Sequence, residues 1–144
     1  MSIKRKGKGF EFDKVTKNYK KFQRDAPPIV ANNTLNWFLK GFREGGGRTD
    51  AGKWQRRKRT AKRDSGRSIL VDTGALRRDV KRIKATFKEI IIGTTRIPYA
   101  RRHNEGLTDK LGRRMPKREF IGDSKKLTDD NLKLINKMIA KFFR

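Results

Sequence analysis

The chain has 144 residues, with 40 Lys+Arg against 15 Asp+Glu, a formal net charge of +25 and no cysteine. These features exclude a disulfide framework and a thiolate metal site, and no apolar run approaches the roughly 20 residues that a membrane helix needs. Only 33% of residues are apolar while 38% are charged, so one domain's core must be assembled from a few amphipathic segments, and the surplus of cations calls for a polyanion or acidic neighbours.

Residues 1–9 carry four basic residues, two glycines and no acid, the composition of a flexible arm that orders on contact with something negative, with Lys4, Arg5 and Lys6 as its contact residues. The arm has the charge of a secretory signal's first region but no apolar stretch follows it, which points to synthesis in the cytoplasm. Residues 10–144 read as a single domain. From Asp13 to Arg24, Val15, Tyr19 and Phe22 recur at helical spacing and predict a helix with one narrow apolar stripe. Pro27 and Pro28 then stop or restart it. A proline suits a first helical turn, so Pro28 opens a second helix carrying Ile29, Val30, Leu35, Phe38, Leu39 and Phe42 and ending at Gly45-Gly46-Gly47, with Trp37 and Phe38 marking it as the core helix.

Residues 45–67 form a basic loop. Its stretch from Arg48 to Arg67 holds nine basic residues, two acids and one large apolar side chain, Trp54, which serves as the anchor. Next comes SILVDTGALRRDV, in which Ile69 to Val71 is a short apolar run and Asp72 or Thr73 caps a brief helix from Leu76 to Val80, with Gly74 permitting close approach. Val80, Ile83, Phe87, Ile90 and Ile92 alternate imperfectly up to Gly93, predicting an antiparallel hairpin over about 80–93 that turns near Lys84 to Thr86. The last element is amphipathic. Thr128 is its expected N-cap, Leu127 and Leu132 form a hydrophobic staple, Asp129 and Asp130 occupy the first turn, and Leu132, Ile135, Met138, Ile139 and Phe142 line one face. The fold class is therefore α+β, a small antiparallel sheet packed against N-terminal helices and a C-terminal amphipathic helix.

An enzyme would have to work through His103, the only side chain here with an unperturbed pKa near neutrality. No serine or cysteine lies near it in sequence, and a zinc site would need an all-carboxylate remainder. A magnesium nuclease would draw on Asp72, Asp79, Glu89 and Glu105, whose spacing matches no nuclease pattern. Each has an ordinary structural reading, Asp72 as a cap, Asp79 on the solvent side of a short helix and Glu89 on the outer face of a strand. The stretch REGGGRTD lacks the lysine and hydroxyl of a phosphate-cradling loop. No catalytic residue, cofactor or metal is expected. The tract RRKRTAKR, with Arg56, Arg57, Lys58, Arg59, Lys62 and Arg63, places six cations in eight residues. It suits sequence-independent contact with phosphates or with an acidic protein surface.

The ordered series LVDTGALRRDV, IIIGT, PYARRHNEG and MPKREFIG, followed by a terminal amphipathic helix, resembles the phage virion morphogenesis, or tail-completion, family of Mu-like tailed phages over about residues 70–143. In that family the corresponding segments are structural signatures, here Asp72, Thr73, Gly74, Leu76, Tyr99, Ala100, His103, Gly106, Pro116, Arg118 and Phe120. The residues themselves agree with such a role: Pro98 and Pro116 stiffen the stretch, Gly106 ends a helix or makes a turn, Tyr99 and Phe120 pack on the hairpin, and Arg118 binds carbonyls or a carboxylate. The resemblance implies a structural, non-enzymatic virion protein at the head–tail junction, assembled in the host cytoplasm. It further implies a ring of sixfold symmetry that contacts the tail tube, neck or connector proteins and the DNA in its lumen. The alternative is a free-standing, sequence-independent nucleic-acid-binding protein.

Overall fold

The computed structural model describes residues 11–57 and 66–143, and the expected arm and most of the basic tract lie outside them. Helix α1 spans Phe12–Glu44 and is followed by helix α2 (Ala75–Asp79), strands β1 (Lys81–Ala85) and β2 (Ile90–Gly93), helix α3 (Ala100–Glu105) and helix α4 (Lys125–Phe142). Helices and a two-stranded antiparallel sheet make an α+β fold, as the sequence predicts.

One expectation fails at the prolines: Pro27 and Pro28 lie inside α1, and the two expected helices are one helix of 33 residues. Each proline removes an amide bond to the carbonyl four residues back, at a cost of roughly 3 kcal/mol in a helix interior. Burial on both sides offsets it. Phe22 and Ala26 before the pair and Val30 and Ala31 after it are buried, and each large apolar side chain taken from water contributes about 1.5–3 kcal/mol. Phe22, Ala26 and Val30 recur every fourth residue and pack against Met138 of α4, with Ile90 of β2 alongside. The helices run antiparallel, since Phe22 meets Phe142 at 5.8 Å while Asn33 donates to Asn131 at 2.7 Å.

A second cluster surrounds the C-terminal half of α1, where Phe42, fully buried, shares one core with Trp54, Leu76, Val80, Ala100 and Phe120. The end of α1 brings Trp54 there. Gly45 takes a left-handed conformation at φ 70°, the Gly46 amide donates back to Gly41 at 2.9 Å and the Trp54 amide donates to Gly45 at 2.9 Å. A Cβ on Gly46 would stand 2.6 Å from the Trp54 ring, so a glycine is needed for the loop to fold its anchor onto Phe42. Trp54 is edge-on to Phe42 at 5.6 Å and donates its indole N–H to the Glu119 carbonyl at 2.8 Å. Trp37, by contrast, is only half-buried: it donates to the Arg48 carbonyl and carries the Arg48 guanidinium 4.5 Å from its ring centre.

The hairpin pairs Lys81 with Gly93 and Ala85 with Ile90, with a bulge that leaves Ile83 as the extra residue. Its turn comes later than the alternation implied, over residues 86–89. The reason is Thr86, whose amide donates to the Glu89 carbonyl at 2.8 Å and whose hydroxyl bonds the Glu89 backbone, a local closure that outweighs strand pairing.

The start of α4 also differs. Ser124, not Thr128, is the N-cap and accepts from the Leu127 amide at 3.3 Å, while Asp50 accepts from the Lys125 amide at 3.2 Å. Leu127 is thus buried within the first turn and Leu132 is 53% exposed, which leaves no staple, and Asp129 and Asp130 fall in the second turn. Thr128 instead returns its hydroxyl to the Ser124 carbonyl at 3.1 Å.

Candidate functional site

The signature residues converge on one concavity. Asp72, Thr73, Gly74 and Leu76, together with Tyr99 and His103 at α3 and Arg118 beyond it, line a cleft of about 380 Å³ that Arg57, midway along the basic loop, completes. Four separate stretches of chain therefore supply it.

Its back wall is the segment 68–71, which forms a turn closed by the Val71 amide on the Ser68 carbonyl at 3.1 Å. Leu70, at the third position of that turn, has φ 61°. A leucine in this region costs roughly 1–2 kcal/mol, and such strain persists only where the surroundings dictate the conformation. Ile69 and Val71 flank it and pack on the Phe42 cluster, so the apolar run expected here is a strained turn pinned by core contacts. Gly74, at φ 77°, is the N-cap residue of α2 in place of the expected Asp72 or Thr73; the Thr73 hydroxyl accepts from the Ala75 amide at 3.4 Å, while Asp72 is held by Arg67 at 2.6 Å and caps nothing.

The opposite wall is built on α3. Gly106 ends that helix at φ 71°, with the Lys117 backbone so near that a Cβ would stand 2.9 Å from it. This approach lets the Arg118 amide donate to the His103 carbonyl at 2.7 Å. Asn104 completes the clasp by donating to the Ile121 carbonyl at 2.9 Å and accepting from the Phe120 and Ile121 amides. Sequence reasoning missed Asn104, which sits inside the singled-out stretch one residue after His103. Phe120 joins the core cluster that Ile92 of β2 abuts, whereas Tyr99, 42% exposed, stands edge-on to His103 at 5.7 Å. Pro116, half-buried, continues the strand of chain that Gly106 admits.

The lining of the cleft carries the guanidiniums of Arg57 and Arg118, the imidazole of His103 and the carboxylate of Asp72. Arg118 donates through Nε to the Gln55 carbonyl at 3.3 Å, and Arg57 donates to the Ser68 carbonyl at 3.3 Å. Burial, with the neighbouring Arg57 charge second, pushes the Arg118 pKa down. Burial and then the Arg118 charge push His103 below its ordinary 6.5. The Nδ1 atom of His103 is buried and has no hydrogen-bond partner among the described residues.

The nuclease candidates do not gather. Asp79 is 8% exposed, not solvent-facing as the helix periodicity implied. It accepts from the amides of Arg96 at 2.8 Å, Thr95 at 2.8 Å and Ile97 at 3.2 Å, and those backbone bonds hold its pKa below the usual carboxylate range. Its position follows from the end of α2 meeting the loop after β2, which no local pattern announces. Glu89 pairs with Lys84 and Glu105 with Arg101 at 3.0 Å. Among the described residues no cluster of three or more metal-ligating side chains occurs, and no helix is long and apolar enough to cross a membrane.

Of the basic residues singled out, Arg56 is exposed and Arg57 lines the cleft; Lys4, Arg5, Lys6, Lys58, Arg59, Lys62 and Arg63 lie outside the described residues. A cationic surface that the sequence reading overlooked runs along α4, where Lys133, Lys137 and Lys141 recur every fourth residue, all exposed, with no ion pair to any of them among the described residues. The four-residue spacing was the available signal. No protein-family model, no curated protein and no solved structure matches this chain.

Proposed function

We propose that this chain is a structural component of a tailed-phage particle, acting at the head–tail junction as one subunit of a ring that contacts DNA or acidic neighbours non-specifically through its basic loops, without catalysis of its own. The observation that carries the reading is the ordered set of signatures from Asp72 to Phe120 and their shared use as a scaffold. Asp72, Thr73, Gly74, Leu76, Tyr99, His103 and Arg118 line one cleft, and Leu76, Ala100 and Phe120 join one core cluster behind it.

Surface composition favours assembly. Phe12 is 73% exposed and shares a face of α1 with Val15 and Tyr19, also exposed, and Phe87 and Ile83 expose large apolar area on the hairpin. Apolar stripes on a chain of this charge gain by being covered by further copies. The lysine row on α4 supplies phosphate contact without sequence reading.

Particles assembled without this protein, viewed by electron microscopy, are expected to show filled heads and tails unjoined, or tails of abnormal length. Normal infectious virions would refute the proposal. A monomer or dimer that binds bare DNA tightly with a steep salt slope would favour the free-standing nucleic-acid-binding reading instead.

A further inference from the structure

We infer that the outer edge of β2, where it faces α4 across α1, is a docking site for an extended segment of another protein, which adds as a third strand with apolar side chains set into the groove and acidic ones alternating between them. The inference stands on the groove itself and does not rest on the head–tail reading.

β2 and α4 leave a furrow between them with α1 as its floor. At one end Phe22, Ala26 and Pro27 of α1 lie under a hollow of about 450 Å³, with Ile90 on one wall and Ile135 and Ile139 on the other. At the other end Thr34 and Phe38 lie under a hollow of about 360 Å³, with Ile92 on one wall and Asn131 opposite. Val30 and Ile90 belong to both hollows, so the two are continuous. From Phe22 to Phe38 α1 rises about 24 Å, which exceeds the roughly 13 Å of a strand as long as β2.

The two edges of the hairpin are unlike. β1, with the sequence KRIKA, carries three cations and the bulge at Ile83, features that keep an edge from accepting a further strand. β2, with the sequence IIIG, has neither. The Thr86 amide donates to the Glu89 carbonyl, and an antiparallel ladder alternates from there. Ile91 therefore turns its backbone groups toward β1, while Ile90 and Ile92 turn theirs away from it, toward the furrow. No loop amide or carbonyl and no isolated bridge reaches Ile90 or Ile92 among the described residues. An added strand satisfies such groups with its main chain and fills the hollows with alternate side chains.

Charge selects the occupant. The hairpin holds Lys81, Arg82, Lys84 and Lys88 against one carboxylate, Glu89, which Lys84 engages. Arg82 and Lys88 form no ion pair among the described residues. A second copy would bring the same net charge of +25 to this surface, whereas acidic side chains on the outer face of an added strand lie beside the hairpin cations.

The probe is an acetylated, amidated heptapeptide of alternating glutamate and valine, titrated into the full chain at about 0.15 M salt, where attraction over more than roughly 8 Å is screened. Backbone amide hydrogen exchange, followed by NMR, reads the edge directly. The expected result is a saturable slowing of the Ile90 and Ile92 amides by about tenfold, the effect of one hydrogen bond each, with the Ile91 amide unchanged. Ile139→Glu, on the 41% exposed wall of the furrow, should weaken the peptide about tenfold through lost apolar contact and added repulsion. Leu111→Glu, the same change at a residue 75% exposed in another loop, should leave binding as it was. Unslowed Ile90 and Ile92 amides at the highest peptide concentration would overturn the inference. So would slowing at Ala85 instead, which pairs with Ile90 and turns its amide out from β1. Equal weakening by both variants, or equal slowing by a heptaglutamate, would overturn the site in favour of general charge attraction. Ile90 and Ile92 amides already slow in the chain alone would overturn the partner assignment. The edge then belongs to a second copy if the slowing grows with protein concentration, and to a segment of the same chain if it does not.

Discussion

Gly106 and Gly112 have nearly the same backbone conformation, at φ 71° and φ 73°, but opposite surroundings. A Cβ at Gly106 would lie 2.9 Å from the Lys117 Cα and amide nitrogen, whereas one at Gly112 meets nothing within 4 Å. Alanine at either position carries the left-handed penalty of roughly 1–2 kcal/mol. At Gly106 the added methyl also pushes backbone against backbone, which no rotamer relieves, and overpacking of this kind costs about 1–3 kcal/mol more. Gly106→Ala is therefore expected to lose roughly 2–5 kcal/mol and Gly112→Ala roughly 1–2, the difference being the Lys117 contact. Each kcal/mol moves the melting temperature by about 2–4 °C at this size. Thermal unfolding followed by circular dichroism, at one protein concentration for both variants, measures that difference. Because the Arg118 amide to His103 carbonyl bond of 2.7 Å lies one residue beyond the contact, Gly106→Ala should also shift the His103 ring signal while Gly112→Ala does not. Equal melting temperatures for the two variants would refute the reasoning, since φ alone would then account for both.

The His103 pKa is held below its ordinary 6.5, so the unfolded chain takes up the proton first. Stability should fall as pH drops from about 6.5 through the lower folded value, and His103→Gln should flatten that part of the profile. Arg118→Gln, which removes a neighbouring cation, should raise the His103 midpoint in a proton NMR titration; a midpoint unchanged or lowered would mean that Arg118 does not face it. Asp79 has its pKa depressed by the amides it accepts from. Its contribution is present above the ordinary carboxylate value of 3.8 and lost on further acidification, and Asp79→Asn should lower the melting temperature at neutral pH more than Asp123→Asn does. Replacing Lys133, Lys137 and Lys141 by glutamine should reduce the dependence of log K on log salt for duplex DNA by about 0.9 per lysine, and an unchanged slope in a fluorescence anisotropy titration would remove the α4 row from the contact surface.

Several elements could be seen in the sequence because their cause is local. The apolar positions of α4 recur at helical spacing, and the β-branched run up to Gly93 needs only its own alternation to make a strand, so both elements were expected, although α4 starts earlier and the hairpin turns later than the pattern implied. Trp54 was identifiable as an anchor because it is the one large apolar side chain in a charged stretch, and it is 6% exposed. Gly106 was expected to end a helix or make a turn, and it ends α3.

What the sequence determined by itself was the α+β class, the excess of cations and the places where periodicity changes. What only the tertiary structure decided was the choice among competing partners. Pro27 and Pro28 stay within one helix because Phe22 and Val30 bury on either side of them. The cap of α4 is Ser124 because Asp50, far back in the chain, meets the Lys125 amide. Asp79 is buried because three amides of the loop after β2 turn toward it. The cleft exists because Arg57, the strained turn at Leu70, His103 and Arg118 are brought together by core contacts of Phe42, Trp54 and Phe120. Periodicity records the preference of each segment for an apolar side, whereas a hydrogen bond or a charge contact depends on which distant segment arrives there.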